Sequence, residues 1–166
     1  EVEGASEVAE VFCPPGTFRM GASEDDTQAG ADEKPARSVR LTRGLWVLST
    51  PVTQGLYFAV TGSSRHDNGL ETHPAYYLSW FEACDFCNQV SVLQGLEPAY
   101  DVGNDDVFWR REANGYRLPT EAEWEYMARA GSSKARTGQL VKIAWSATGN
   151  TDGHPVGQKK PNAWGI

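Results

Sequence analysis

The stretch from Leu118 to Gly131, LPTEAEWEYMARAG, constrains the fold most, because it states where a helix must start and where it must stop. Pro119 closes the preceding segment, Thr120 is placed as the N-cap, and Glu123 completes a T-x-x-E capping box. In that arrangement hydroxyl and carboxylate each satisfy a backbone amide that the helix cannot. Glu121 and Glu123 add negative charge to the first turn, where exposed N–H groups favour it. Gly131 supplies the left-handed stop. Trp124, Met127 and Ala128 fall at i, i+3, i+4 spacing and are predicted to form the inward stripe. On that assignment Trp124→Ala is expected to cost about 3–5 kcal/mol. Glu125 is predicted to pair with Arg129 four residues later. Paired acid–base chemistry from Glu121, Glu123 and Glu125 would need two carboxylates converging on one cleft. Glu121 and Glu125 share a face, yet every conspicuous residue already has a structural use. The expectation is a scaffold helix with no catalytic residue.

Two further short helices follow from the same capping logic. One starts after Thr53 and ends by Gly62. Another starts at Ser79, where Glu82 gives S-x-x-E spacing. Its apolar face is predicted from Ala83, Cys87 and Val90, with Phe86 and Leu93 beside them, and Gly95 ends it. CPPGTFRMG (13–21) reads as a turn and a short strand, and SVRLTRGLWVLST (38–50) as two strand pieces around Gly44. Residues 22–37 are polar and aperiodic, a surface loop. Residues 1–11 read as a linker or the end of a preceding region, and 12–166 as one domain. With 17 glycines, nine prolines and six tryptophans, the chain is expected to be turn-rich, with large aromatic anchors. Trp80, Trp124 and Trp145 are predicted in the core, and Trp109 on a strand next to the signature.

The formal net charge of −7 argues against nucleic acid or an anionic membrane as partner, since either needs a basic surface. No apolar run is long enough to span a membrane. Cys84 and Cys87 form a C-x-x-C, but it lies in the helix body rather than at the N-terminus, where a thiol gains a low pKa. Structural zinc needs four ligands, and neither a second C-x-x-C nor an H-x-x-x-H is present. Cys13, Cys84 and Cys87 are therefore expected to be small buried hydrophobes. His66, His73 and His154 are scattered, two of them before proline, and read as loop histidines.

The ordered landmarks GTFRMG (16–21), EKPARSV (33–39), PVTQGLYFAVTG (51–62), HPAYYLSWFEACDFCNQVS (73–91), GYRLPTEAEWEYMARAG (115–131) and HPVGQKKPNAWG (154–165) resemble the formylglycine-generating enzyme family, the sulfatase-modifying factors. The resemblance implies an α+β, C-type-lectin-like fold with short strands, few helices and long ordered loops. It also implies, for an intact enzymatic member, oxidation of a sulfatase cysteine by oxygen and copper held by two cysteines. Those cysteines follow the segment matched by NAWG, so the chain is expected to be truncated before them, with no catalytic, cofactor-binding or metal residue among its 166. Cys87 aligns with a helix cysteine that in some members forms a disulfide with that later segment. The resemblance also implies structural calcium in some members; Asn150 and Asp152 could supply oxygens, an Asx-rich turn accounts for them equally well, and Ala144 stands where an asparagine is expected. An iron-dependent relative would need a His motif that this sequence lacks. Two functions follow: an oxygenase when intact, or a non-catalytic lectin-like module, typical of a bacterial branch, that binds a protein, peptide or other ligand. The 166 residues alone are expected to be inert.

Overall fold

Glycine and proline punctuation keeps almost every element short. The structure is a computed structural model that describes residues 9–22, 26–63, 69–133, 140–145 and 153–166. In chain order the elements are β1 (Glu10–Cys13), β2 (Gly16–Met20), a 3-10 turn (Ala31–Glu33), β3 (Arg37–Leu41), β4 (Leu45–Leu48), α1 (Gln54–Thr61), α2 (Trp80–Leu93), β5 (Tyr100–Val102), β6 (Val107–Trp109), α3 (Glu121–Arg129) and α4 (Leu140–Ile143). The strands make three antiparallel two-stranded ribbons, β1–β4, β2–β3 and β5–β6. The pairing of Glu10 with Leu48 and Val11 with Val47 makes the last two residues of the 1–11 stretch, expected as a linker or the end of a preceding region, part of β1. No helix among the described residues is long and apolar enough to cross a membrane.

The capping chemistry is realised at the starts of α1, α2 and α3. The Thr53 hydroxyl accepts from the Leu56 amide, and Ser79–Glu82 and Thr120–Glu123 form reciprocal boxes. Gly62 gives α1 its left-handed exit, whereas α3 turns left-handed already at Ala130 (φ 45°), one residue before the expected Gly131, which also has positive φ.

The chain divides into two compact units, one drawn from residues 51–118 and 153–156, the other from 8–50, 119–152 and 157–166. In the first, Cys84, Cys87, Ala99 and Tyr100 form a buried cluster against which Val107, Trp109, Tyr116 and Leu118 pack. Asn88 ties α2 to β5, donating to the Tyr100 carbonyl (2.7 Å) and accepting from its amide (3.0 Å). Ser91, fully buried, donates to the Cys87 carbonyl and accepts from the Tyr116 amide (2.8 Å). The buried face of α2 therefore runs through Cys84, Cys87 and Ser91. Leu93, predicted to share the inward face, is exposed. A Cβ on Gly115 would overlap the Glu97 carbonyl oxygen and lie 2.5 Å from Ser91 Oγ. Gly115→Ala is expected to cost about 1–3 kcal/mol through overpacking, read as a lowered denaturant midpoint with unchanged slope.

In the second unit, Phe12 and Trp46 face each other across the β1–β4 ribbon with ring centroids 5.3 Å apart, while Val11, Cys13, Leu45 and Val47 occupy its other face. Helix α3 buries Tyr126 and Met127, not Trp124, which is 63% exposed, and Ala128 is exposed as well. The predicted stripe is thus out of phase. The face that packs runs through Glu123, Tyr126, Met127 and Ala130, another i, i+3, i+4, i+7 series that the same sequence permits. Trp80 and Trp145 are also more than half exposed, so the three tryptophans assigned to the core lie outside it. Trp109 does sit on β6, with the Arg111 and Arg117 guanidiniums 5.1 and 5.0 Å from its ring.

Candidate functional site

The glutamates of α3 were the first candidates for chemistry, and the structure gives each a place. Glu123 closes the capping box by accepting from the Thr120 amide at 2.8 Å. Glu121 is exposed at the first turn. Glu125 Oε1 lies 2.6 Å from Arg129 Nη2 and accepts the Gly21 amide at 2.9 Å. Arg129 Nη2 in turn donates to the Gly21 carbonyl at 2.9 Å. One ion pair therefore satisfies both backbone groups of a glycine held at φ +94°, at the end of β2. With its oxygen committed to two donors, Glu125 forms no acid–base pair with Glu121. The sequence placed the Glu125–Arg129 pair correctly but missed that it clamps a distant strand end.

Asn162 completes this assembly. Its amide donates to the Met127 carbonyl at 2.8 Å, filling a carbonyl that the end of α3 leaves without a helical partner. Its oxygen accepts from the Trp164 and Ile166 amides. The N-A-W-G landmark is thus a cap on the signature helix.

Beside β2 and the end of α3 lies an open groove of about 360 Å³. Phe18, Tyr126 and Trp164 line it, with Tyr126 5.2 Å from Phe18 and 4.9 Å edge-on from Trp164. Arg19, Arg129, Ser132 and Ser133 supply its polar edge.

The three cysteines are free and buried. Burial raises the pKa of Cys13, Cys84 and Cys87, and Cys87 is pushed up to about 12 from 9.0 by desolvation and the neighbouring Cys84. The sign is that of a neutral form preferred by the fold. Stability from this thiol is complete below the unfolded value near 9.0 and is lost as pH rises toward about 12. Alkylation by iodoacetamide at pH 8 is therefore expected to label none of the three within hours natively and all three after unfolding, read by intact mass. A copper-holding pair needs accessible thiolates, and these thiols do not fit it. Among the described residues no three His, Cys, Asp or Glu side chains gather as a metal site. Asn150, Asp152 and His66, named above, lie outside the described residues. Among the described residues, buried His73 Nδ1 meets no hydrogen-bond partner, and the His73 carbonyl accepts from the Gln54 amide at 2.8 Å.

Residues 2–166 match the model of the sulfatase-modifying factor enzyme 1-like domain. The chaperone protein LppX of Paenibacillus barcinonensis is 29% identical over 153 residues, covering 69% of this chain and 55% of that protein. The chain thus spans about half the length of this curated relative. Treponema denticola variable protein 1 superposes with a TM-score of 0.82 at 26% identity, over 98% of this chain and 69% of that one. CarF superposes at 0.75 and 25% identity, over 96% and 75% of the two chains. PvdO from Pseudomonas aeruginosa superposes at 0.69 and 24% identity, over 95% and 65%, a likeness of fold.

Proposed function

From the premise that this chain belongs to the sulfatase-modifying factor enzyme 1-like domain family and has its α+β, C-type-lectin-like fold, we propose that these residues act as a non-catalytic framework that binds a protein or peptide. The observation that carries this reading is the fate of the reactive groups. All three thiols are sealed in the interior and held protonated, and the half-buried carboxylate of the signature helix is committed to Arg129 and Gly21. Large aromatic side chains are displayed at the surface: Trp46, Trp80, Trp124 and Tyr77 are each more than half exposed. Side chains of this kind dominate protein-recognition surfaces. The chaperone relative supports the same reading, since a chaperone acts by contact with another polypeptide.

Panning a random peptide library against the folded chain tests it. A recurrent sequence pattern is expected, whose synthetic peptide binds on the order of micromolar by calorimetry, the weak end for a small interface. Enrichment no better than from bare support would sink the proposal.

A second reading rests on the family match: the intact polypeptide oxidises a target cysteine to formylglycine. It requires a copper-binding cysteine pair that Cys13, Cys84 and Cys87 do not supply. In that case these residues hold the fold and the peptide while other residues do the redox step.

A further inference from the structure

We propose that the groove between β2 and the end of α3 takes an aromatic side chain flanked by a carboxylate, presented by an extended acidic peptide. This rests on the peptide-binding reading above and names the ligand chemistry at one place on the surface.

Three observations converge on it. The first is shape: about 360 Å³ floored by Phe18, Tyr126 and Trp164 has room for one aromatic ring, in the size range of small ligand sites. The rings already meet in tilted and edge-on contacts, the geometries in which a further aromatic adds stabilisation.

The second is charge. In a chain of formal net charge −7, the described residues that line this groove include two arginines and no aspartate or glutamate. Arg129 is already balanced by Glu125 at 2.6 Å. Arg19 is exposed, and no carboxylate among the described residues pairs with it. Its planar fork suits a carboxylate, and the Ser132 and Ser133 side chains lie along the same edge.

The third is the strand. β2 pairs with β3 on one edge, and among the described residues no strand pairs with the other. Gly16, Thr17, Phe18 and Arg19 themselves line the groove. An extended peptide laid beside such a strand is recognised by its backbone, while a pocket selects its side chain.

The test is an NMR titration of the whole chain with Ac-Asp-Phe-NH2, Ac-Asn-Phe-NH2 and Ac-Lys-Phe-NH2, following the Trp164 indole and the Ser132 and Ser133 amides. The aspartate peptide is expected to shift all three signals and to bind at least about tenfold more tightly than the lysine peptide, with the asparagine peptide between them. Arg19→Gln, at an exposed position, is expected to retain its melting temperature and to reduce the aspartate-over-asparagine preference to within about twofold. Equal binding of the lysine peptide, shifts that bypass Trp164, or a preference unchanged in Arg19→Gln would overturn the assignment. Peptides enriched by panning that bind elsewhere would sink this inference while leaving the binding reading intact. Failure of panning together with a silent titration would remove both.

Discussion

Tyr126→Ala is expected to destabilise the chain by about 3–5 kcal/mol, whereas Trp124→Ala, two residues earlier on the same helix, is expected to cost under about 1 kcal/mol. The contrast follows from phase. Tyr126 is 7% exposed, stands between Phe18 and Trp164, and donates its hydroxyl to the Pro14 carbonyl at 3.1 Å. Removing its ring empties a site that three elements share, and neighbours already packed cannot close it. Tyr126→Phe keeps the ring and loses one hydrogen bond, so about 1 kcal/mol is expected. Trp124 keeps most of its surface in water, so its truncation removes little burial. Urea melts of the three variants decide the matter; a larger loss at Trp124 than at Tyr126 would reverse the assignment.

Glu125→Ala carries the second large effect, about 2–3 kcal/mol. The side chains of Arg129 and Glu125 are only 17% and 21% exposed, so the pair is neither a solvent-screened surface contact nor a fully buried one. Deleting the carboxylate takes away the guanidinium's ion-pair partner and leaves the Gly21 amide without its acceptor. Both losses fall on backbone held at positive φ, where the chain has little freedom to find substitutes. A double-mutant cycle with Arg129→Ala is expected to return a coupling of about 1–2 kcal/mol. A coupling near zero would show that the clamp does not hold β2. Glu121→Ala, on the exposed first turn, is expected to cost only a few tenths of a kcal/mol.

Much of this architecture was legible locally. Thr53, Ser79 and Thr120 each announced a helix start, because a cap is a bond between residues three apart and needs nothing from the rest of the chain. The Glu125–Arg129 pair was legible for the same reason. What the sequence did not reveal was phase. On α3, Trp124 and Tyr126 lie on different faces, and the i, i+3, i+4 series begun at Trp124 is as regular as the one begun at Glu123 that the fold buries. On α2, Leu93 was placed beside the inward face and is exposed, whereas Ser91 is fully buried. Its hydroxyl is bonded both ways, to Cys87 in the preceding turn and to Tyr116, so burial costs it little. A mid-helix serine able to bond back to the preceding turn was the available signal. The Gly21 clamp lay beyond local reading altogether, since its amide and Glu125 are 104 positions apart.

These findings recast the glutamate-rich signature. Its helix does not merely sustain itself; it fastens a strand end through Glu125 and Arg129 and is itself capped by Asn162. The aromatic groove that results is a product of that fastening, because Tyr126 and Arg129 belong to both.

The central claim is that the reactive-looking groups of this chain are spent on structure. It is tested most directly by incubating residues 1–166 with a sulfatase-derived cysteine peptide, copper and oxygen, and assaying for aldehyde. The peptide is expected to be recovered unchanged, with aldehyde at the level of a protein-free control. Aldehyde formed above that level, and abolished by replacing Cys84 or Cys87, would contradict it.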